Sequence, residues 1–266
     1  MKKIKLKSII NTFLRGLLAI FVLILIVFPL YLACRISCYL NPKKTIYLEF
    51  AFACKEIISS LVSSYDIFGE IPDDENFVIV CNHQSFLDVF AITVYFNGTP
   101  GVVFLDQKMF NWPILSFFLE KIGAISINGK LKPEDNVKER SSAVWQSIKI
   151  LRTGKHLFIF QEGTRTETGE LSEFFHGASA IARRTGKKIL TLGLAGAFEV
   201  SNKKSFLLNS GKIVLYTGPI IDPKDYSQEE LTEVLRVTIE ENIIEAEERK
   251  NKLYNNYIPI IGDFNF

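Results

Sequence analysis

Apolar and polar positions divide this chain into two regions. Residues 16–34 read GLLAIFVLILIVFPLYLAC, with no charge, between Arg15 and Arg35. An uncharged run of that length is close to what a helix needs to span hydrocarbon. Lys2, Lys3, Lys5 and Lys7 precede it, and no small-x-small cleavage pattern follows it. The run therefore predicts a retained membrane helix rather than a removed leader. A second stretch, 46–64, spaces apolar residues at helical intervals with few charges. It fits either the return arm of a membrane hairpin, hinged near Asn41-Pro42 with Pro29 kinking the first arm, or an amphipathic core helix. Residues 66–75 read as a polar connector.

After the connector the periodicity alternates. Strand-like runs fall at 77–81, 102–105, 124–127, 157–160, 189–194 and 212–216, and helix-like patterns at 86–95, 113–122, 135–152, 178–185 and 228–250. Strands alternating with helices predict an α/β fold with a mixed, mostly parallel sheet covered on both faces. The expected organisation is N-terminal membrane-anchoring helices over 1–70, then one α/β domain over 71–266 with a C-terminal helix and an apolar tail. Ser227 followed three residues later by Glu230 predicts a capping box for the last helix. The aromatic and apolar tail from Tyr254 is expected to pack back on the domain, with contact to lipid as the alternative.

Composition narrows the function classes. A net charge of +2 over 266 residues gives no electrostatic footprint for nucleic acid. The 22 Phe agree with a membrane-associated chain. Cys34, Cys38, Cys54 and Cys81 form no C-x-x-C pair and have no His at zinc-ligand spacing. No disulfide framework, metal site or bound cofactor is expected, and a reducing compartment is the default.

The candidate chemistry begins at Asn82-His83-Gln84-Ser85-Phe86-Leu87-Asp88, directly after the first strand-like run of the domain. Histidine is the usual general base near neutral pH, and a carboxylate can fix its tautomer. On one continuous helix, a five-residue step would leave His83 and Asp88 about 140° apart. They meet only if His83 lies in the loop and Asp88 in the first helical turn, as the S-x-x-D start at Ser85 suggests. The same residues also fit a plain helix start, with Ser85 and Asp88 as caps. A second element, Phe160-Gln161-Glu162-Gly163-Thr164-Arg165, follows another strand-like run. Gly163 permits a sharp turn, and Arg165 offers a planar fork suited to phosphate. By itself this element also fits a polar surface turn.

Together and in this order, the two elements resemble the glycerolipid acyltransferase family, typified by 1-acyl-sn-glycerol-3-phosphate acyltransferases. The first is close to that family's H-x-x-x-x-D block and the second to its F-P-E-G-T-R block. Lys108, Pro113, Gly123, Ile125 and Ile127 fall where the family has a K…P…G…F-I-D-R block. Three departures stand out: Gly129 replaces the block's Arg, with Lys130 one residue on; Gln161 replaces Pro; and Thr191 replaces a later Pro.

The resemblance implies a direct acyl transfer. His83 would deprotonate an acceptor hydroxyl, Asp88 would hold the imidazole, and the alkoxide would attack the thioester of acyl-CoA or acyl-carrier protein. Glu162, Gly163, Thr164 and Arg165 would hold the acceptor, with Lys108 and Lys130 as further cations. The implied acceptor is a membrane lysophospholipid, 1-acyl-glycerol-3-phosphate first, another lysolipid or an amino-acid lipid second. Such substrates imply a catalytic domain on the cytoplasmic face of the inner (plasma) membrane. A non-catalytic lipid-binding protein is the rival from another class, kept open by Gly129. A lipase is disfavoured because no G-x-S-x-G occurs. His156 reads as a strand-edge residue, His176 as peripheral, and Trp112 and Trp145 as core or interface anchors.

Overall fold

The structure is a computed structural model that describes residues 2–127, 137–204 and 208–255. It opens with one long apolar helix. Helix α1 (Lys2–Val22) passes through a π-helical turn at Leu23–Val27 into α2 (Phe28–Leu40). The π turn sits just before Pro29, whose ring cannot donate to the preceding turn, and the Phe28 N–H reaches back to the Leu23 carbonyl. Residues Ile9–Leu40 form a single apolar stretch of 32 residues, the one helix among the described residues long and apolar enough to cross a membrane.

Helix α3 (Tyr47–Leu61) then returns along this helix. Its 15 residues rise about 22 Å, short of a hydrocarbon core of about 30 Å. One of its faces is core, with Phe50, Cys54 and Ile58 buried, while Leu48 and Phe52 remain exposed. Arg15 closes the hairpin by donating to the Val62 carbonyl at 2.6 Å and the Ser63 hydroxyl at 3.0 Å. Of the two readings of the 46–64 stretch, the core helix is the one observed: α3 packs back along α1 and buries one face.

Among the described residues, seven strands form one sheet: β1 (Ser64–Phe68), β2 (Val78–Cys81), β3 (Gly101–Asp106), β4 (Ile125–Ile127), β5 (His156–Phe160), β6 (Ile189–Ala195) and β7 (Lys212–Ile221). Their order is β1-β7-β6-β2-β5-β3-β4. Every pairing is parallel except β6 with β7. Strand β1 occupies residues that the sequence divides between a helical stretch and a connector. Its alternation is weak, because as an edge strand it is only partly buried.

Helices α4 (Leu87–Phe96) and α5 (Pro113–Ile122) join α3 in burying Phe77, Ile79, Cys81 and Phe158 on one sheet face. On the other face, α6 (Val137–Arg152), α7 (Gly177–Thr185) and α9 (Gln228–Asn255) enclose Val78, Val80, Leu157 and Ile189. The short α8 (Ala197–Val200) links β6 toward β7. Gly193 in β6 lets α9 pass close by, since a Cβ there would collide with the Asn242 backbone. The capping box forms: the Ser227 N–H donates to Glu230 at 2.8 Å, and the Glu230 N–H to the Ser227 hydroxyl at 3.2 Å.

Neither tryptophan is core, since Trp112 is 70% and Trp145 60% exposed. His156 is buried rather than lying at an open edge, with Nδ1 accepting the Phe77 N–H at 3.2 Å. The tail beyond residue 255 lies outside the described residues.

Candidate active site

Strands β2, β5 and β3 are parallel neighbours, so their carboxyl ends share one edge of the sheet. Open α/β sheets bind ligands at that edge. The end of β2 leads into His83, the end of β5 into Glu162, and the end of β3 into Lys108. Asn82 fixes the exit of β2 by pairing its amide with both backbone groups of Leu194 on β6, at 2.9 and 2.8 Å.

His83 lies in the loop and Asp88 in the first turn of α4. His83 Nδ1 is 2.8 Å from Asp88 Oδ2. The same oxygen accepts the N–H groups of Gln84, at 2.6 Å, and Ser85, at 2.8 Å. Asp88 is fully buried, whereas the His83 side chain is 17% exposed. A fully buried carboxylate facing Nδ1 holds the proton on that nitrogen and leaves Nε2 with a free lone pair. Nε2 has no hydrogen-bond partner among the described residues. The two sequence readings of Asp88 coincide, because one oxygen both caps the helix start and orients the imidazole. The Ser85 hydroxyl accepts the Leu87 N–H at 3.3 Å and is buried, so it acts as a cap. Phe160 stacks on the His83 ring, with centroids 3.8 Å apart and planes 15° apart, and fixes its tilt.

The second element is tied to the first. Glu162 is 2% exposed; Oε1 accepts the His83 N–H at 2.7 Å, and Oε2 accepts the Ser172 N–H and hydroxyl at 3.0 and 2.7 Å. Burial pushes its carboxyl above the ordinary range, against these donors, which favour the charged form. The Thr166 N–H adds a bond to the His83 carbonyl at 2.9 Å. Gln161 closes the base of the loop: its backbone carbonyl accepts the Phe175 N–H at 3.0 Å, and its side-chain amide donates to the Phe175 carbonyl at 2.9 Å. Between these anchors Gly163 takes φ +64°, with its missing Cβ facing the Phe175 ring. Thr164 and Arg165 follow, partly buried, and Arg165 makes no ion pair or hydrogen bond with a described residue.

The structure therefore brings His83, Asp88, Glu162 and the start of the Gly163–Arg165 turn together. Lys108 is exposed in a 3-10 turn, Gln107–Asn111, after β3 on the same edge. Lys130 and Gly129 lie outside the described residues. Ser172, Thr166 and Phe160 shape the site without having been singled out for a role. Ser172 lies ten residues beyond Glu162 in a loop, where no spacing rule marks it. His176 starts α7 and bonds Thr232 at 3.0 Å.

Fold and site together are those of an α/β protein with a histidine held by a buried carboxylate at the carboxyl edge of its sheet. Residues 67–195, just under half of the chain, match the family model described as Acyltransferase. Similar proteins include the 1-acyl-sn-glycerol-3-phosphate acyltransferase of Borreliella burgdorferi, 29% identical over 172 residues, 62% of this chain and 65% of that one. Another is the enzyme of that name from Bacillus subtilis, 27% identical over 77% of this chain and 98% of that one. The chloroplastic LPAT1 of Arabidopsis thaliana is 29% identical over 54% of this chain and 39% of that one. The match thus spans less than two thirds of the Borreliella and Arabidopsis relatives' own lengths. The crystal structure of the 1-acyl-sn-glycerophosphate (LPA) acyltransferase PlsC from Thermotoga maritima shares the fold. Its TM-score is 0.72 at 23% identity, covering 92% of this chain and 98% of that one.

Proposed function

We propose that this protein transfers a fatty acyl group from acyl-CoA or acyl-carrier protein to the free hydroxyl of a lysophospholipid, 1-acyl-glycerol-3-phosphate in the first place, giving phosphatidic acid. The observation that carries the proposal is the 2.8 Å contact between His83 Nδ1 and the fully buried Asp88 carboxylate. It leaves Nε2 available as a base at an edge where a substrate can arrive. The names of the relatives support the choice of acceptor.

His83 Nε2 takes the acceptor's hydroxyl proton as the oxygen attacks the thioester carbonyl. Asp88 stabilises the imidazolium that forms. The tetrahedral intermediate collapses, its C–S bond breaks, and the departing thiolate recovers the proton from Nε2. A thioester is already activated, so no covalent enzyme intermediate is needed. Glu162 fixes the His83 backbone through its N–H and anchors the following loop at Ser172. Gly163 and Thr164 turn that loop, and Arg165 presents an unpaired guanidinium to the acceptor phosphate. Lys108 adds positive charge at the same edge, and Lys130 is a further cation for the acceptor phosphate.

In this reading the helices within residues 1–70 anchor the catalytic part, 71–266, to a membrane, on the cytoplasmic face of the inner (plasma) membrane where thioester donors occur. A half-embedded helix is favoured over a span that stands clear of the domain. Asn11 and Thr12 bond the Leu208 carbonyl, Arg15 bonds Val62, and Tyr31 packs edge-on against Phe117 at 5.3 Å, so α1 and α2 lie along the domain. Their outer face is apolar and exposed. Membranes carrying the protein, given labelled acyl-CoA or acyl-carrier protein and a panel of lysolipids, test the proposal. Product with 1-acyl-glycerol-3-phosphate is expected. Product only with another lysolipid reassigns the acceptor, and no transfer with any pair rejects the enzyme.

A further inference from the structure

Trp112 is a large aromatic side chain left 70% exposed, and the fold says what lies beside it. It stands at the start of α5, immediately after the 3-10 turn that leaves the carboxyl end of β3. Two residues further on, Ile114 packs into the cluster of Val22, Val27 and Ala53. Trp112 is therefore level with the part of the long apolar helix whose outer face exposes Phe21, Ile24 and Leu25. The N-terminal part of that helix reaches the same edge of the sheet. Arg15 bonds Val62 and Ser63, directly ahead of β1. The start of β1 pairs with the start of β7, which runs against the carboxyl end of β6. Phe86, 41% exposed, opens α4 on the same face and at the same edge, three residues after His83.

We propose that Trp112, with Phe86, forms a lipid-contacting rim at the mouth of the active site, continuous with the apolar outer face of α1 and α2 and seated in the interfacial layer of a bilayer. The inference rests on the membrane reading above. Indole rings favour the headgroup level, where an apolar body and a polar N–H are both satisfied. Lys108, exposed four residues before Trp112, supplies the cation that anionic headgroups attract. The rim lets an acceptor lipid pass sideways from the bilayer to His83 without its chain crossing water.

The chain contains two Trp. The second, Trp145, is also exposed but lies on α6, on the opposite face of the sheet, and serves as an internal control. The test uses the full-length chain reconstituted into phosphatidylcholine–phosphatidylglycerol vesicles with brominated acyl chains, which quench indole on contact. Trp145→Phe reports Trp112, Trp112→Phe reports Trp145, and Trp112→Phe/Trp145→Phe/Phe21→Trp reports the helix face. The expected result is loss of most Trp112 emission, comparable with the Phe21→Trp probe, and unchanged Trp145 emission. Quenching at Phe21→Trp without quenching at Trp112 overturns the rim and leaves the anchor standing. Equal quenching of Trp112 and Trp145 overturns it as well. Absence of quenching at all three positions overturns the membrane reading together with the rim.

Discussion

The Asp88 carboxylate meets His83 Nδ1 at 2.8 Å with the same oxygen that accepts the backbone N–H groups of Gln84 and Ser85. Orientation of the base and closure of the loop that carries it are one interaction. Asp88→Asn therefore perturbs both. By analogy with other His–carboxylate pairs, turnover falls by about 10³–10⁴-fold. Stability also drops, because an amide cannot offer the same oxygen to three donors. Initial rates and thermal unfolding of the same preparation check both effects.

Glu162 is a strut between two loops. Glu162→Ala leaves the His83 N–H and the Ser172 N–H without their buried acceptor, at a cost of about 1–3 kcal/mol for each group. Activity falls through displacement of His83. Ser172→Ala removes one hydroxyl and costs about 1 kcal/mol. Chemical denaturation of the two variants distinguishes these magnitudes.

Arg165 has no bond to a described residue, so Arg165→Ala is expected to leave the melting temperature unchanged while raising KM for a phosphate-bearing acceptor. Arg165→Lys recovers part of the loss, because an ammonium supplies charge without a bidentate fork. Steady-state kinetics with and without the acceptor phosphate show whether the effect is confined to that group.

Gly163 sits at φ +64° with the Phe175 ring 3.0 Å from where a Cβ would stand. Gly163→Ala destabilises the loop by about 1 kcal/mol through the backbone alone, with a further cost unless the ring gives way. Adding Phe175→Leu recovers the steric part and leaves the backbone part, which a double-mutant cycle separates.

His156, the first residue of β5, is buried against Phe77, and that burial lowers its pKa from 6.5 to about 4, against the opposing charge of Asp73 and with a smaller push from Lys187. The folded state prefers the neutral ring, whose Nδ1 accepts the Phe77 N–H. Its contribution to stability is complete above pH 6.5 and is lost as the pH falls toward about 4. Unfolding free energies across that interval decline in the wild type, and His156→Gln flattens the decline.

The elements most legible in the sequence are those whose burial is one-sided or complete. Strands β2, β5 and β6 read as largely apolar runs because helices cover both faces. Asp88 was identifiable because a helix start and a base-orienting carboxylate require the same spacing. Strand β1 was not legible, since an edge strand with SYDIF has no clean alternation. Nor are the partners of Glu162 legible: its oxygens meet His83 and Ser172, contacts made by tertiary folding across loops. The exposure of Trp112 and Trp145 departs from the usual burial of large aromatics, and composition alone carries no sign of it.

The most direct test of the central claim is a single-turnover measurement of acyl transfer to 1-acyl-glycerol-3-phosphate by reconstituted wild type and His83→Ala, with donor and acceptor saturating. If His83 Nε2 removes the acceptor proton, the rate of the chemical step falls by about 10²–10⁴-fold while binding of both substrates is retained. A His83→Ala protein that transfers the acyl group at the wild-type rate would contradict the account.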